Sequence, residues 1–385
     1  MSTLRTLFFA SALSALLPAA LAAQEPLQPE QLTVETIPPG TEKLFVTDLA
    51  IEHIVDGRVR VLDATSMKLL GMTGTGFLGQ IYVPSDQDVF YVATTYIEKI
   101  TRGKRTDWLE TYDSSTLAFK GEIPISTTRA EALNYRPLLQ GSADHRWIFV
   151  QGATPATSIS IVDLEAKKQT AEVPNAGCYG IYPAADDSMR FGTMCGDGTF
   201  GSYKLTKDGS GAERTTSEPI FDADKDALFI HGERDGKNWV YMSFGGNIYI
   251  VDQEGDKAKL VEKIAMTEGV EGDWRPGGYQ VSAYHQKTGV LFVLMHKGGA
   301  EGSHKNPAEE LWAYDLHKKK LLSRSPVTTA ISVGLGQTDE PVVYTIDGLG
   351  LKVVRYTTDA AKGYQLTAAG EAKGGAAPLQ LETQK

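Results

Sequence analysis

Hydrophobic and polar positions alternate with period two along most of the chain, in short β-branched and aromatic runs separated by Asp, Gly, Ser and Lys. The runs come in pairs. The second member of a pair ends in a hydrophobic–Asp step and a polar turn, as in Val59–Asp63, Leu109–Asp113, Ile159–Asp163, Ile248–Asp252 and Leu311–Asp315. Phe200–Leu205 and Leu351–Tyr356 keep the alternation without the aspartate. With Leu205 and Tyr356 as the equivalent positions, successive copies lie 50, 50, 42, 47, 63 and 41 residues apart. Runs such as Val89–Ala93, Trp147–Val150, Trp239–Met242, Val290–Leu294 and Val342–Tyr344 are the first members. A repeat of roughly 40–50 residues made wholly of strands predicts an all-β chain, a seven-bladed β-propeller whose blades bury one another's faces. A parallel β-helix would need much shorter coils.

The flanks predict the remaining organisation. Met1 to Thr6 is a short basic start, Leu7 to Leu21 is apolar, and Ala20-Leu21-Ala22 offers small residues for cleavage near Ala22. Residues 1–22 therefore read as a signal peptide and 23–41, rich in Pro, Gln and Glu, as a mobile segment. The propeller is expected over 42–368, with a mobile Gly/Ala-rich tail over 369–385. Leu44–Val46 is expected to close the ring by completing the last blade. The longest step holds a glycine-rich insertion, His296–Glu310, expected as an extended loop at one mouth of the ring.

Charge and cysteine usage narrow the function classes. A formal charge of −10 argues against nucleic acid or an anionic membrane as the principal partner. The signal peptide predicts export, and no other stretch is long and apolar enough for a span, so a periplasmic location is expected. Two cysteines exclude an iron–sulfur protein or a disulfide-dense scaffold, and in an oxidising compartment Cys178 and Cys195 are expected to pair structurally.

Several strings imitate chemistry. Gly74-Thr-Gly76-Phe-Leu-Gly79 spells a dinucleotide fingerprint, but a strand follows where a helix is required. Asp222-Ala-Asp224-Lys-Asp226 with Glu233 resembles a calcium loop that has Ala227 where the sharp turn needs glycine. His296, His304 and Glu301 lack a third positioned metal ligand and read as polar contacts to a partner or a neighbouring blade. The basic run Arg102, Lys104, Arg105 is a candidate interface or a solvated hairpin tip. No nucleophile elbow or Walker loop is present, and no catalytic residue is assigned.

Thr94–Asp107, Thr154–Asp163, Met194-Cys-Gly-Asp-Gly198, Trp274-Arg-Pro-Gly-Gly-Tyr279 and Glu301-Gly-Ser-His-Lys305 carry a resemblance. From about residue 42 to 365 the chain resembles the heavy subunit of the tryptophan tryptophylquinone amine dehydrogenases. The resemblance implies a quinoprotein-type propeller in a periplasmic complex of two heavy and two light subunits that oxidises primary amines to aldehyde and ammonia. It also implies that the chain carries no cofactor: tryptophan tryptophylquinone belongs to the cysteine-rich light subunit, and electrons pass to a blue copper protein of the azurin or amicyanin type. The five tryptophans, Trp108, Trp147, Trp239, Trp274 and Trp312, are expected to be unmodified. In the family an aromatic just after the first strand's Val-x-Asp narrows the amine's route. Here Val46-Thr-Asp48 is followed by Ile51 and Glu52, which become the substrate-access candidates and favour aromatic or arylalkyl amines. The wording around Ile100 and His304 also resembles the aromatic amine dehydrogenase branch. The competing readings are a free-standing binding scaffold and a propeller holding its own soluble quinone.

Overall fold

The recurring aspartate has a local cause. Asp63 Oδ1 accepts the backbone N–H groups of Thr65 and Ser66 at 3.0 and 2.6 Å. Asp113 and Asp163 each do the same for the residues two and three positions on. The short carboxylate closes the turn after the strand, which is why this step punctuates the repeat. All seven runs read as second members are strands.

The computed structural model describes residues 34–132 and 134–384; Thr36–Lys385 form one unit. The expected signal peptide lies outside the described residues. Hydrogen bonding organises the strands into six antiparallel sheets. Blade one holds Lys43–Asp48, Gly57–Asp63, Leu69–Gly76 and the chain's last strand, Pro378–Gln384. Blade two runs Gln80–Tyr82, Val89–Ile97, Arg105–Asp113, Phe119–Ile125, and blade three Leu139–Gly141, Trp147–Gly152, Ser158–Asp163, Lys168–Pro174. Blade four comprises Cys178–Pro183, Arg190–Cys195, Phe200–Leu205 and Ala212–Thr216; blade five comprises Leu228–Asp235, Asn238–Ser243, Asn247–Asp252 and Lys259–Ala265.

The propeller class holds, but seven separate blades are not formed. Five four-stranded blades are discrete, and the last two repeats share one eight-stranded sheet. The joint is Lys320–Gly336, a strand of 17 residues. Its first part pairs with Ala308–Asp315 and its second with Val342–Asp347. Between them Ser325-Pro-Val-Thr-Thr329 offers no Gly, Asn or Asp to turn the chain, so a register shift replaces a break.

The ends also differ from expectation. The Gly/Ala-rich tail carries two strands: Thr367–Lys373 belongs to the large sheet, and Pro378–Gln384 pairs antiparallel with Lys43–Asp48, Lys43 facing Gln384. The Gly/Ala composition stops at Ala377, after which alternation returns and buries Leu379 and Leu381. The last strand thus completes the first blade, the reverse of the closure expected for Leu44–Val46. Ordered structure also begins before residue 42, since Ile37 is buried and its N–H donates to Ser115 O at 2.7 Å.

Aromatic residues pack between blades, as where Phe191 lies 4.6 Å from Phe149 and 4.8 Å from Tyr203 between centroids. Glutamines tie neighbouring inner strands: Gln280 Nε2 donates to Leu381 O at 3.0 Å while its Oε1 accepts Leu381 N–H at 2.9 Å. Strand polarity gives the ring two faces. Hairpins joining second to third strands, and the chain crossing between blades, emerge on one face, called here the crossover face; the remaining hairpins emerge on the turn face.

Candidate functional site

Ile51 and Glu52 lie on the crossover face, in the 3-10 turn Ile51–His53 between the first two strands of the chain. Asp48 builds that turn. Its carboxylate accepts Ala50 N–H at 3.1 Å and, from the last blade crossing, Ala376 and Ala377 N–H at 2.9 and 2.7 Å. Gly375 is needed there: its φ is +137°, and a Cβ would meet Asp48 Oδ2 at 2.1 Å. The result holds Ile51 outward with 65% exposure.

The other sequence candidates fall on the same face with different fates. Arg102 and Lys104 sit exposed at the tip of the Val89–Ile97/Arg105–Asp113 hairpin, beside Ile100 at 69% exposure. Arg105 is committed inward, its guanidinium meeting Asp107 at 2.6 Å, Glu131 at 3.0 Å and Arg129 O at 3.1 Å. That network anchors Arg129, a buried guanidinium that donates to Phe77 O and Leu78 O at 2.7 and 2.9 Å; burial pulls its pKa down to about 10. The glycine string 74–79 is therefore a blade crossing clamped by arginine, not a phosphate cradle. His304 is exposed and meets the Phe244 ring at 6.4 Å. His296 ends a central strand at 2% exposure. The insertion carries a short 3-10 turn, Ser303–Lys305, ahead of the strand Ala308–Asp315. A third exposed aliphatic residue, Leu349 at 78%, tips another hairpin of this face.

Cys178 and Cys195 form the expected disulfide, facing each other across adjacent strands. Beside it an apolar cavity of about 370 Å³ is lined by Tyr179, Met194, Phe221, Leu228 and Ile230. The calcium-like string resolves into hydrogen bonds: Asp226 is held by Asn247, Tyr249 and Lys263 at 2.8, 2.7 and 3.0 Å. Among the described residues no three His, Cys, Asp or Glu side chains converge to hold a metal.

The axial cluster was not foreseen. Arg136, in the turn before the inner strand of blade three, pairs with Glu233 at 3.1 Å and Glu382 at 3.0 Å. His231 Nε2 lies 2.8 Å from Glu233. Burial raises the Glu233 carboxyl, yet the opposing pull of Arg136, followed by that of His231, wins, so its pKa falls below the ordinary range. For Glu382 burial prevails over Arg136 and the pKa rises. The cluster floors a cavity of about 470 Å³ open toward the turn face, where Arg234 stacks on Trp239 at 4.4 Å. Toward the crossover face the axis is lidded by Tyr135 and Tyr279, 6.3 Å between centroids, with Lys305 Nζ 3.0 Å from Tyr135 Oη. The available signal was His231 and Glu233 standing inside an otherwise strand-like run.

Comparison with known proteins adds sequence-level likeness to this geometry. Residues 40–383 match the family described as methylamine dehydrogenase heavy chain. The methylamine dehydrogenase heavy chain of Methylophilus methylotrophus is 27% identical over 336 residues, covering 86% of this chain and 81% of that protein. That of Paracoccus versutus is 27% identical over 344 residues, with 88% and 78% covered. Among solved structures, a periplasmic gluconolactonase of Pseudomonas aeruginosa superposes with a TM-score of 0.60 at 15% identity, covering 89% of this chain and 98% of that one. Dihydro-heme d1 dehydrogenase NirN gives 0.55 at 14% identity, with 86% and 63% covered. These two likenesses concern the fold alone.

Proposed function

The chain belongs to the methylamine dehydrogenase heavy chain family, and from that premise we propose that it is the heavy subunit, without a cofactor of its own, of a periplasmic amine dehydrogenase. The partner is the light subunit carrying tryptophan tryptophylquinone, two of each forming the complex. When bound, that quinone takes two electrons as RCH2NH2 and water become RCHO, ammonia and two protons, and a blue copper protein of the azurin or amicyanin type receives the electrons. This chain docks the light subunit, keeps bulk water from the quinone and shapes the amine's path.

The observation carrying the reading is a family match spanning nearly the whole described ring, residues 40–383. The docking surface is the crossover face. Ile51, Ile100 and Leu349 are exposed on three of its hairpin tips, with Arg102 and Lys104 beside them, a mixture of apolar anchors and arginine suited to a protein interface. The paired substitutions Ile100→Asp and Leu349→Asp are expected to weaken light-subunit association about tenfold or more, each placing a charge where an apolar contact forms. Surface plasmon resonance with the purified light subunit measures this; unchanged affinity in both variants removes the crossover face from the interface.

Ile51, with Glu52 beside it, borders the amine's path, and an aliphatic side chain there leaves room for arylalkyl amines. Ile51→Phe is expected to lower kcat/KM for a phenylethylamine about tenfold while leaving methylamine within about twofold, since pocket shape discriminates substrates on this scale. Equal losses for both amines take Ile51 out of the path. Dye-linked amine oxidation by the purified chain alone would contradict the division of labour between subunits.

A further inference from the structure

The disulfide of blade four stands between two cavities. The apolar one of about 370 Å³ and a second of about 480 Å³, which holds Asp197, Thr199, Arg214 and Thr216, are each lined by both cysteines. The bond joins register partners on the first and second strands of the blade, at their crossover-face ends, where the second strand turns through residues 196–199. Arg214 lies over the sulfurs from the second cavity. Its Nη2 is 3.0 Å from Cys178 Sγ and 3.7 Å from Cys195 Sγ. Arg214 belongs to the outer strand Ala212–Thr216, which is exposed from Glu213 onward. A rotamer change of one exposed side chain therefore uncovers both sulfurs on this side, a fast motion that moves no backbone.

The contact also has a direction. A guanidinium does little for a neutral disulfide but stabilises a thiolate, and a better-stabilised thiolate leaves faster. The nearer sulfur, Cys178 Sγ, is thus the favoured leaving group. Asp197, the carboxylate on the same wall, is turned to its own hairpin, its Oδ1 accepting from Thr199 N–H at 3.0 Å and Thr199 Oγ1 at 2.7 Å. Nor does the blade need the bond to hold the two cysteines in place. Gly196 N–H donates to Gly177 O at 3.0 Å, Cys195 N–H to Thr199 O at 2.9 Å and Cys178 N–H to Asn175 O at 3.0 Å. After reduction the two thiols stay opposite each other, so the bond can form again.

We propose that Cys178–Cys195 is a site of reversible thiol–disulfide exchange with an external dithiol. The incoming thiolate attacks Cys195 Sγ, a new S–S bond forms there as the old one breaks, and the electron pair passes to Cys178 Sγ, held as thiolate by Arg214. The second thiol of the reductant then attacks its own sulfur in the mixed disulfide and releases Cys195. Two electrons and two protons have moved: the dithiol becomes a disulfide and the chain carries two thiols. The proposal goes beyond the subunit reading and does not rest on it.

Reduced glutathione, a single thiol that stops at the mixed disulfide, tests it on the folded full-length chain. Samples are quenched in acid, alkylated and read by peptide mass spectrometry. Glutathione on Cys195 with the alkyl group on Cys178 is expected in at least about fivefold excess over the reverse. Arg214→Gln should slow adduct formation about fivefold and erase the preference, while Arg214→Lys keeps part of both. An even distribution over the two cysteines in the unaltered chain overturns the proposed direction. Adduct formation that rises with urea in step with the unfolding rate, as for a bridge that reacts only from the unfolded chain, overturns the site. Should the Arg214 variants fail to fold, the ratio and the urea dependence in the unaltered chain decide it.

Discussion

Replacing Arg136 by methionine is expected to lower stability by about 2–4 kcal/mol near neutral pH, in the lower part of the range for breaking a buried ion pair because the Arg136 side chain keeps 34% exposure to the channel. The substitution strands Glu233 and Glu382, whose side chains are 8% and 12% exposed, without a counter-charge. The pH dependence identifies the cause. In the unaltered chain Glu233 has a lowered pKa, so its stabilisation is present above the unfolded value and is lost as pH falls through the folded one. Glu382 has a raised pKa, so what it contributes is present below the unfolded value and is lost as pH rises through the folded one. Without Arg136 burial dominates both carboxyls and raises both pKa values, so the deficit should shrink as pH is lowered from about 7 to about 5. Urea denaturation at the two pH values measures it. A deficit independent of pH would mean that Arg136 acts through packing rather than charge. Glu382→Gln should be close to neutral at pH 7, and Glu233→Gln destabilising.

Truncation after Ala377 should have the larger effect, a loss above about 5 kcal/mol, comparable to the whole stability of a typical domain. The removed strand buries Leu379 and Leu381 and pairs along Lys43–Asp48. It also carries the Gln280 clamp on Leu381, the Glu382 partner of Arg136, and Gln384, whose Nε2 donates to Pro84, Gln87 and Val89 carbonyls at 2.9, 2.7 and 3.2 Å. An open edge along the first blade would follow, inviting aggregation. Leu381→Ala is the graded control, expected to cost about 3 kcal/mol as a large-to-small core change. Calorimetry and size-exclusion chromatography read both. A truncated chain that stays soluble with an unchanged Tm would show that the ring does not depend on this closure.

The parts legible in the sequence were those with local causes. An aspartate that must accept two backbone N–H groups recurs visibly, so the strands ending at Asp63, Asp113 and Asp163 could be read directly. Pairing of the cysteines followed from compartment and number. The joined sheet was hidden because equal spacing of repeats does not reveal whether a turn separates them, and the continuous strand through Pro326 turns on a register shift. The glycines at 374 and 375 disguised a closing strand that begins only three residues later. The axial cluster was least visible of all. Inner strands such as Gln80–Tyr82 and Leu139–Gly141 have three residues each, too short to show alternation. Arg136, Glu233 and Glu382 meet only through the geometry of the ring. Among the surface candidates, Arg102, Lys104 and His304 are exposed, while Arg105 is drawn inward by Asp107 and Glu131 and His296 is buried at the end of a central strand.

Lys43 and Gln384 being register partners has a consequence for how damage spreads through the molecule. Opening of the strand at Lys43 and opening of the strand at Gln384 are thus a single event, and Gln384 extends that seam into the neighbouring blade. Strain applied to either strand is felt by both, while the blades across the ring, stitched by hairpins between consecutive strands, loosen without involving this pair.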